Sequence, residues 1–249
     1  MKFLVLSGDG INCEKETLLA IKEAGGDGDI VHISSFSENP NLLKSYKGLV
    51  LPGGFSFGDE LGSGQILALK LKSLFEEALF EFVEKGHPVI GICNGFQVLM
   101  KLNILPNIEV ASKVALTENI SAKFINRWTR LRTSGERCLW TKGIGSLDLP
   151  IRHGEGRIIV DESFQDDLKK LIDDGHAPLL YDEDVNGSFE SIAGLCNEKG
   201  NVLGLMPHPE AYLYPELHPD RLTWDQNPTL GLHLFKNAVE YIQNHNNFQ

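Results

Sequence analysis

Four cysteines in 249 residues, Cys13, Cys93, Cys138 and Cys196, lie far apart with no Cys-x-x-Cys spacing. They suit neither a disulfide framework nor a zinc site. No apolar run is long enough to span a bilayer, and the one that opens the chain, in MKFLVLSGDG, is too short for a secretory signal. A cytoplasmic protein is therefore expected. Basic residues are in the minority, with 23 Lys and Arg against 34 Asp and Glu and a net charge of −11. Nucleic-acid binding needs clustered Lys and Arg, so that class is disfavoured. Neither G-x-x-x-x-G-K-S/T nor G-x-G-x-x-G occurs, which removes the usual phosphate cradles. No internal repeat, low-complexity stretch or linker interrupts the chain, and the expectation is one domain over residues 1–249.

A hydrophobic content of 42% is enough for a full core. Lys2 to Leu6 reads as a buried strand, Glu14 to Ala24 as a helix stopped by Gly25-Gly26, and Ile30 to Ile33 as a second strand. Leu42, Leu43 and Tyr46 form a short amphipathic element. Gly48 to Leu51 is a third strand, and Gln65 to Glu84 a long helix whose apolar stripe is core. Strands alternating with helices predict an α/β fold with a mostly parallel, doubly wound sheet covered on both faces. Further on, Ser163 to Asp174 reads as a helix capped near Asp161 or Ser163, and Pro228 to Asn244 as the closing helix. Ala177 to Tyr181 and Ser191 to Leu195 read as a hairpin with an Asn186-Gly187 turn.

His87 to Met100, HPVIGICNGFQVLM, carries the chemistry. A short strand turns at Cys93 into a helix, and Gly91 and Gly95 flank the cysteine as G-x-C-x-G. That is the cysteine form of the nucleophile elbow. A free cysteine by itself is usually an inert core residue. The flanking glycines, the strand–turn–helix context and the helix N-terminus, which favours negative charge, point instead to a nucleophile.

The glycine-rich Pro52 to Gly64, PGGFSFGDELGSG, can be read as a phosphate cradle, as a plain loop, or as a source of backbone amides. If Cys93 is the nucleophile, the third reading ranks first, with amides at Gly53 and Gly54 facing an acyl-transfer oxyanion. Near Asn201 to Glu210, NVLGLMPHPE, a buried strand ends in Pro207 and places His208 and Glu210 around Pro209. A histidine at a strand end is usually structural. In a chain with a cysteine elbow, this one and its carboxylate supply a base and the group that orients it. Leu149 to Val160, LPIRHGEGRIIV, crowds His, Glu and two glycines into a loop and reads as a site lining. Arg127, Arg130 and Arg132 form a local basic cluster, which either meets a phosphate or acidic partner or lies on a solvated edge strand.

With Cys93, His208 and Glu210 in view, the chain resembles the class I glutamine amidotransferases, whose fold is flavodoxin-like. The stretches GGFSFGDELGSG, GICNGFQVL, LTENISAKF, PIRHGEGR, NGSFESIAG and NVLGLMPHPE follow the order of one branch, the glutaminase subunits of phosphoribosylformylglycinamidine synthase. The resemblance spans nearly the whole chain. It implies Cys93 as nucleophile, His208 as base and Glu210 as its orienter. It implies an oxyanion hole from Gly54 and the backbone of Asn94, with Gly53 beside it and Gln97 lining the glutamine pocket. His153, Gly154 and Glu155 would lie beside the substrate or the ammonia exit. It implies no cofactor or metal on this chain, ATP and Mg on a large synthetase subunit that receives the ammonia, and a small accessory subunit. Two positions depart from the family. Glu60, Leu61, Gly62 and Ser63 stand where an aromatic residue and Leu-Arg-Ala-Gly are usual, and Ala211 stands in place of Arg. Neither touches the triad. Two other readings fit the same residues: a glutaminase serving another synthetase, and a regulatory subunit that keeps the fold without turnover. Cysteine-elbow hydrolases and chaperones fit less well, since they do not need the His-Pro-Glu ending.

Overall fold

The computed structural model describes residues 2–106, 113–220 and 229–245. Its centre is a nine-stranded sheet. The strands are β1 (Lys2–Ser7), β2 (Asp27–His32), β3 (Gly48–Leu51), β4 (Val89–Ile92), β6 (Ile125–Thr133), β7 (Ser146–His153), β9 (Leu179–Tyr181), β10 (Ile192–Cys196) and β11 (Val202–Leu205). Their spatial order is β2-β1-β3-β4-β11-β10-β9-β6-β7. From β2 to β11 every pairing is parallel; beyond β11 every pairing is antiparallel. Only β10 and β6 run against the rest, so the mostly parallel expectation holds. β5 (Val114–Glu118) and β8 (Glu155–Val160) pair in a separate two-stranded sheet.

The parallel half is buried because its strands are. β3, β4 and β11 have no exposed residue, and β1 buries Phe3 to Leu6. Strands covered on both faces read as unbroken apolar runs rather than alternations. The covering helices are α1 (Glu14–Glu23), α3 (Gln65–Glu84), α4 (Asn94–Lys101) and α6 (Leu232–Asn244); the one-turn α2 (Ser35–Glu38) and α5 (Gln165–Asp173) complete the set. The order β2-β1-β3-β4 reverses beside β1, and in such sheets ligands bind at the carboxyl ends of strands near the reversal.

Several expectations shift. The second strand begins at Asp27, three residues before the apolar run, because its partner is the exposed start of β1. The long helix has a break at Phe75 (φ −160°, ψ 34°), whose ring stacks on Phe36 with centroids 3.9 Å apart. The closing helix is described from Leu232, and Pro228 lies outside the described residues. β9 and β10 pair as a hairpin, but residues 182–191 join them, not a two-residue turn. The Asn186-Gly187 corner instead reaches sideways: the Asn186 carbonyl accepts from Ile120 N–H, and Ser188 Oγ accepts from Ile158 N–H. The arginine-bearing strand β6 is solvated on one face but is not an edge, since β9 and β7 flank it. Arg127, Arg130 and Arg132 pair with Glu183, Asp148 and Asp182, so their charges are met inside the chain.

Candidate active site

The elbow forms because two glycines permit an approach that no other residue would. A β-carbon on Gly95 would stand 1.9 Å from the Leu51 carbonyl oxygen, and one on Gly91 would stand 2.6 Å from the Gly95 oxygen. Helix α4 therefore lies directly on β3 and β4. Cys93 caps that helix at φ 51°, ψ −105°. This conformation is sparsely populated and costs about 1–3 kcal/mol. It is held by the Cys93 N–H donating to Leu205 O at 2.8 Å and by the Cys93 carbonyl accepting from Gln97 N–H at 3.1 Å.

From β11 the chain turns at Pro207, and His208 N–H donates to Pro150 O on β7 at 2.9 Å. A short 3₁₀ turn, Pro209–Ala211, then swings Glu210 back. Its Oε1 lies 2.6 Å from His208 Nδ1, and both residues are buried. The Cys13 sulfur lies within 4.8 Å of an imidazole nitrogen, while its thiol donates to Asn12 Oδ1 at 3.2 Å. Burial by itself lowers the His208 pKa. The Glu210 carboxylate, helped by the Cys13 and Cys93 thiols, more than reverses this and holds the imidazole well above its ordinary value. The imidazole therefore lies against a carboxylate that favours its charged form.

The glycine-rich loop lies over this centre. Gly54 has φ 154°, and a β-carbon there would stand 2.6 Å from Gly10 O, so only glycine lets the loop pack on residues 10–12. Among the described residues, neither the Gly54 nor the Asn94 N–H is taken by a hydrogen bond. The Asn94 side chain ties loop to elbow: Oδ1 accepts from Ser56 N–H, and Nδ2 donates to Asp59 Oδ1 and Gln97 Oε1. Gln97 Nε2 donates to the Glu155 carbonyl at 2.7 Å, so the Gln97 amide is engaged at both ends. Burial pushes the Asp59 carboxyl up, against the pull of its Gly64, Asn94 and Ser63 hydrogen bonds.

β7 delivers the remaining wall. The Arg152 carbonyl accepts from the Cys93 thiol at 3.7 Å. His153 is buried, with Nδ1 3.0 Å from Asn119 Oδ1. Asn119 Nδ2 donates to two carbonyls, of Lys123 and His153, so its oxygen accepts and Nδ1 of His153 carries the proton. Burial, and then the His208 charge, lower the His153 pKa to about 4. Gly154 contributes its carbonyl to Asn119 N–H, and a β-carbon there would meet only Phe124, at 3.8 Å. The Phe55 and Phe124 rings, both half exposed, lie 6.4 Å apart at the rim.

Sequence reasoning missed Cys13, Asp59, Asn119 and Tyr181. The Tyr181 hydroxyl is fully buried without a hydrogen bond; burial first, and then the neighbouring Cys93, push its pKa up. Asn119 lies in LTENISAKF, a stretch singled out without a role. Cys13 follows β1 just as Gly53 follows β3, and its place at a strand's carboxyl end was the available signal.

A family description of CobB/CobQ-like glutamine amidotransferase domains matches residues 1–242. The phosphoribosylformylglycinamidine synthase subunit PurQ of Treponema denticola is 41% identical, over 96% of this chain and 98% of its own. The protein of the same name from Methanococcus maripaludis is 38% identical over 97% of each chain. Among solved structures, a chain from the structure of PurLQS from Thermotoga maritima superposes with a TM-score of 0.76 and 31% identity, covering 97% of this chain and 98% of that one. The elbow, the His208–Glu210 pair at the ends of parallel strands and these full-length matches lead to one statement: the chain belongs to the PurQ family of CobB/CobQ-like glutamine amidotransferases.

Proposed function

We propose that this chain is the glutaminase subunit of phosphoribosylformylglycinamidine synthase, acting in purine biosynthesis. The observation that carries the reading is the buried His208–Glu210 pair, 2.6 Å apart, beyond the end of β11, beside the Cys93 elbow at the end of its parallel neighbour β4. Cys93 transfers its proton to His208, and Glu210 holds the resulting imidazolium. The sulfur attacks the side-chain carbonyl carbon of glutamine, and the oxyanion is met by the N–H groups of Gly54 and Asn94. Each such donor is worth about 3–4 kcal/mol to the transition state. Collapse breaks the C–N bond, His208 returns its proton to the nitrogen, and ammonia leaves. Water then attacks the thioester with His208 taking its proton, the S–C bond breaks, and glutamate departs.

Gly53, the Gln97 region, His153, Gly154 and Glu155 form the substrate side of the site. Gln97 acts by bracing the wall rather than by direct contact, since its amide is engaged by Asn94 and Glu155. The ammonia passes to a large synthetase subunit, and a small accessory subunit completes the assembly. The likeness to a chain of PurLQS supports both partners. ATP and Mg belong to the synthetase, and this chain works without a cofactor of its own. It is a single glutaminase domain of the cytoplasm; among the described residues no helix is long and apolar enough to cross a membrane.

The test is glutamine hydrolysis by wild type and Cys93→Ala, each with and without the cognate synthetase. Glutamate release is expected from the wild type, rising with the synthetase, and none above background from the variant. Equal rates for the two proteins refute the assignment.

A further inference from the structure

The second thiol at the imidazole is not required by the glutaminase chemistry. Cys13 caps α1, with its N–H donating to Gly53 O at 3.2 Å and its carbonyl accepting from Thr17 Oγ1 at 2.7 Å. Its side chain is therefore aimed by a fixed backbone. A β-carbon on Gly53 would stand 2.8 Å from His208 Cε1 and 3.3 Å from Cys13 Sγ, so the bare glycine is what lets thiol and imidazole converge. The sulfur of Cys13, an imidazole nitrogen of His208 and a carboxylate oxygen of Glu210 all lie within 4.8 Å of one another, and all three residues are buried. His208 Nε2 and Glu210 Oε2 are both buried without a hydrogen bond of ordinary geometry.

We infer that Cys13, His208 and Glu210 form a binding site for a thiophilic divalent cation such as Zn²⁺. Thiolate, imidazole and carboxylate are the three ligand types of zinc sites, with metal–ligand bonds of about 2.0–2.3 Å. Tetrahedral bonds of that length place ligand atoms about 3.5 Å apart, so side-chain adjustments of an ångström or so close the set. A fourth position stays open for water. Binding releases the Cys13 thiol proton and the proton between His208 and Glu210 to solvent. The seated cation then holds the imidazole that relays protons to and from Cys93, so it inhibits glutamine hydrolysis. That last consequence rests on the proposed function; the binding does not.

The experiment measures Zn²⁺ affinity directly, by competition of the full chain with a chromophoric chelator. Wild type, Cys13→Ser and Cys138→Ser are compared, each checked for folding by circular dichroism. Cys138 and Cys196 form the other buried thiol pair, so the Cys138 variant controls for binding there. One equivalent is expected to bind wild type and Cys138→Ser alike. Loss of an outer-shell partner already weakens zinc sites about 10–100-fold, so loss of the Cys13 ligand is expected to weaken binding at least about a hundredfold. Cadmium NMR on the wild type reads the donor set without a variant, and one resonance typical of a single-thiolate site is expected. Glutaminase assays then follow, with Zn²⁺ inhibiting the wild type and chelator restoring it. Equal affinity in wild type and Cys13→Ser, loss of binding in Cys138→Ser, or a two-thiolate cadmium signal overturns the site. Binding without inhibition keeps the site and counts against the glutaminase role of His208.

Discussion

Gly95 and Leu51 pack so closely that a single added methyl group would put a carbon 1.9 Å from the Leu51 carbonyl oxygen. Helix α4 and strand β3 are thereby locked together two residues after the Cys93 turn. Gly95→Ala is expected to destabilise the protein by at least about 3 kcal/mol, the upper range for overpacking a core. Gly145→Ala, where a β-carbon meets nothing within 4 Å, is the control and should stay within about 0.5 kcal/mol. Urea unfolding of the two variants measures the difference.

Glu210 favours the charged form of its neighbour His208. In Glu210→Gln the isosteric amide cannot stabilise the imidazolium, and kcat/KM for glutamine is expected to fall about 10³–10⁴-fold, as in catalytic triads that lose their carboxylate. The Glu210 charge raises the His208 pKa. Its removal must therefore move the limb of the pH–rate profile set by the imidazole to lower pH. A profile that falls in height without moving would show that Glu210 does not act through His208.

His153 gives the fold an acid sensitivity whose sign follows from its lowered pKa. In the folded chain it remains neutral down to about pH 4, whereas unfolded it titrates near the ordinary imidazole value of 6.5. The stability it contributes is full above pH 6.5 and is lost as the pH falls toward 4, because the unfolded chain then takes up a proton that the folded one refuses. At about 1.4 kcal/mol per unit, the step from pH 7 to pH 5 should remove about 2 kcal/mol from the wild type. In His153→Gln that part of the loss should disappear. Denaturant unfolding at the two pH values tests it.

Asn94 has two jobs that can be separated. Its N–H faces the proposed oxyanion, while its side chain holds Ser56, Asp59 and Gln97. Asn94→Ala keeps the N–H and removes the rest, leaving buried polar partners unpaired. A loss of about 2–3 kcal/mol in stability is expected, with residual glutaminase activity well above that of Cys93→Ala. Activity as low as that of Cys93→Ala in a folded protein would place the side chain itself in the chemistry.

The elements that position the site were readable because their signals are local. Gly48 to Leu51 and Val89 to Ile92 are unbroken apolar runs that can only be buried strands, and G-x-C-x-G carries its own turn. Pro207 and Pro209 mark where β11 must stop. The arginine strand was harder. Whether Ile125 to Thr133 lies at an edge depends on β9 and β7, which come later in the chain and leave no trace in its own residues.

The chain itself determined that Cys93 sits on an elbow and that His208 and Glu210 follow a strand end, since backbone conformation there is set by adjacent glycines and prolines. Only the tertiary structure decided that Cys13 lies against the same imidazole and that Gln97 is braced by Asn94 and Glu155. Convergence of that kind depends on which strands are neighbours in the sheet. Strand order arises from packing summed over the whole core, and no short stretch of residues encodes it.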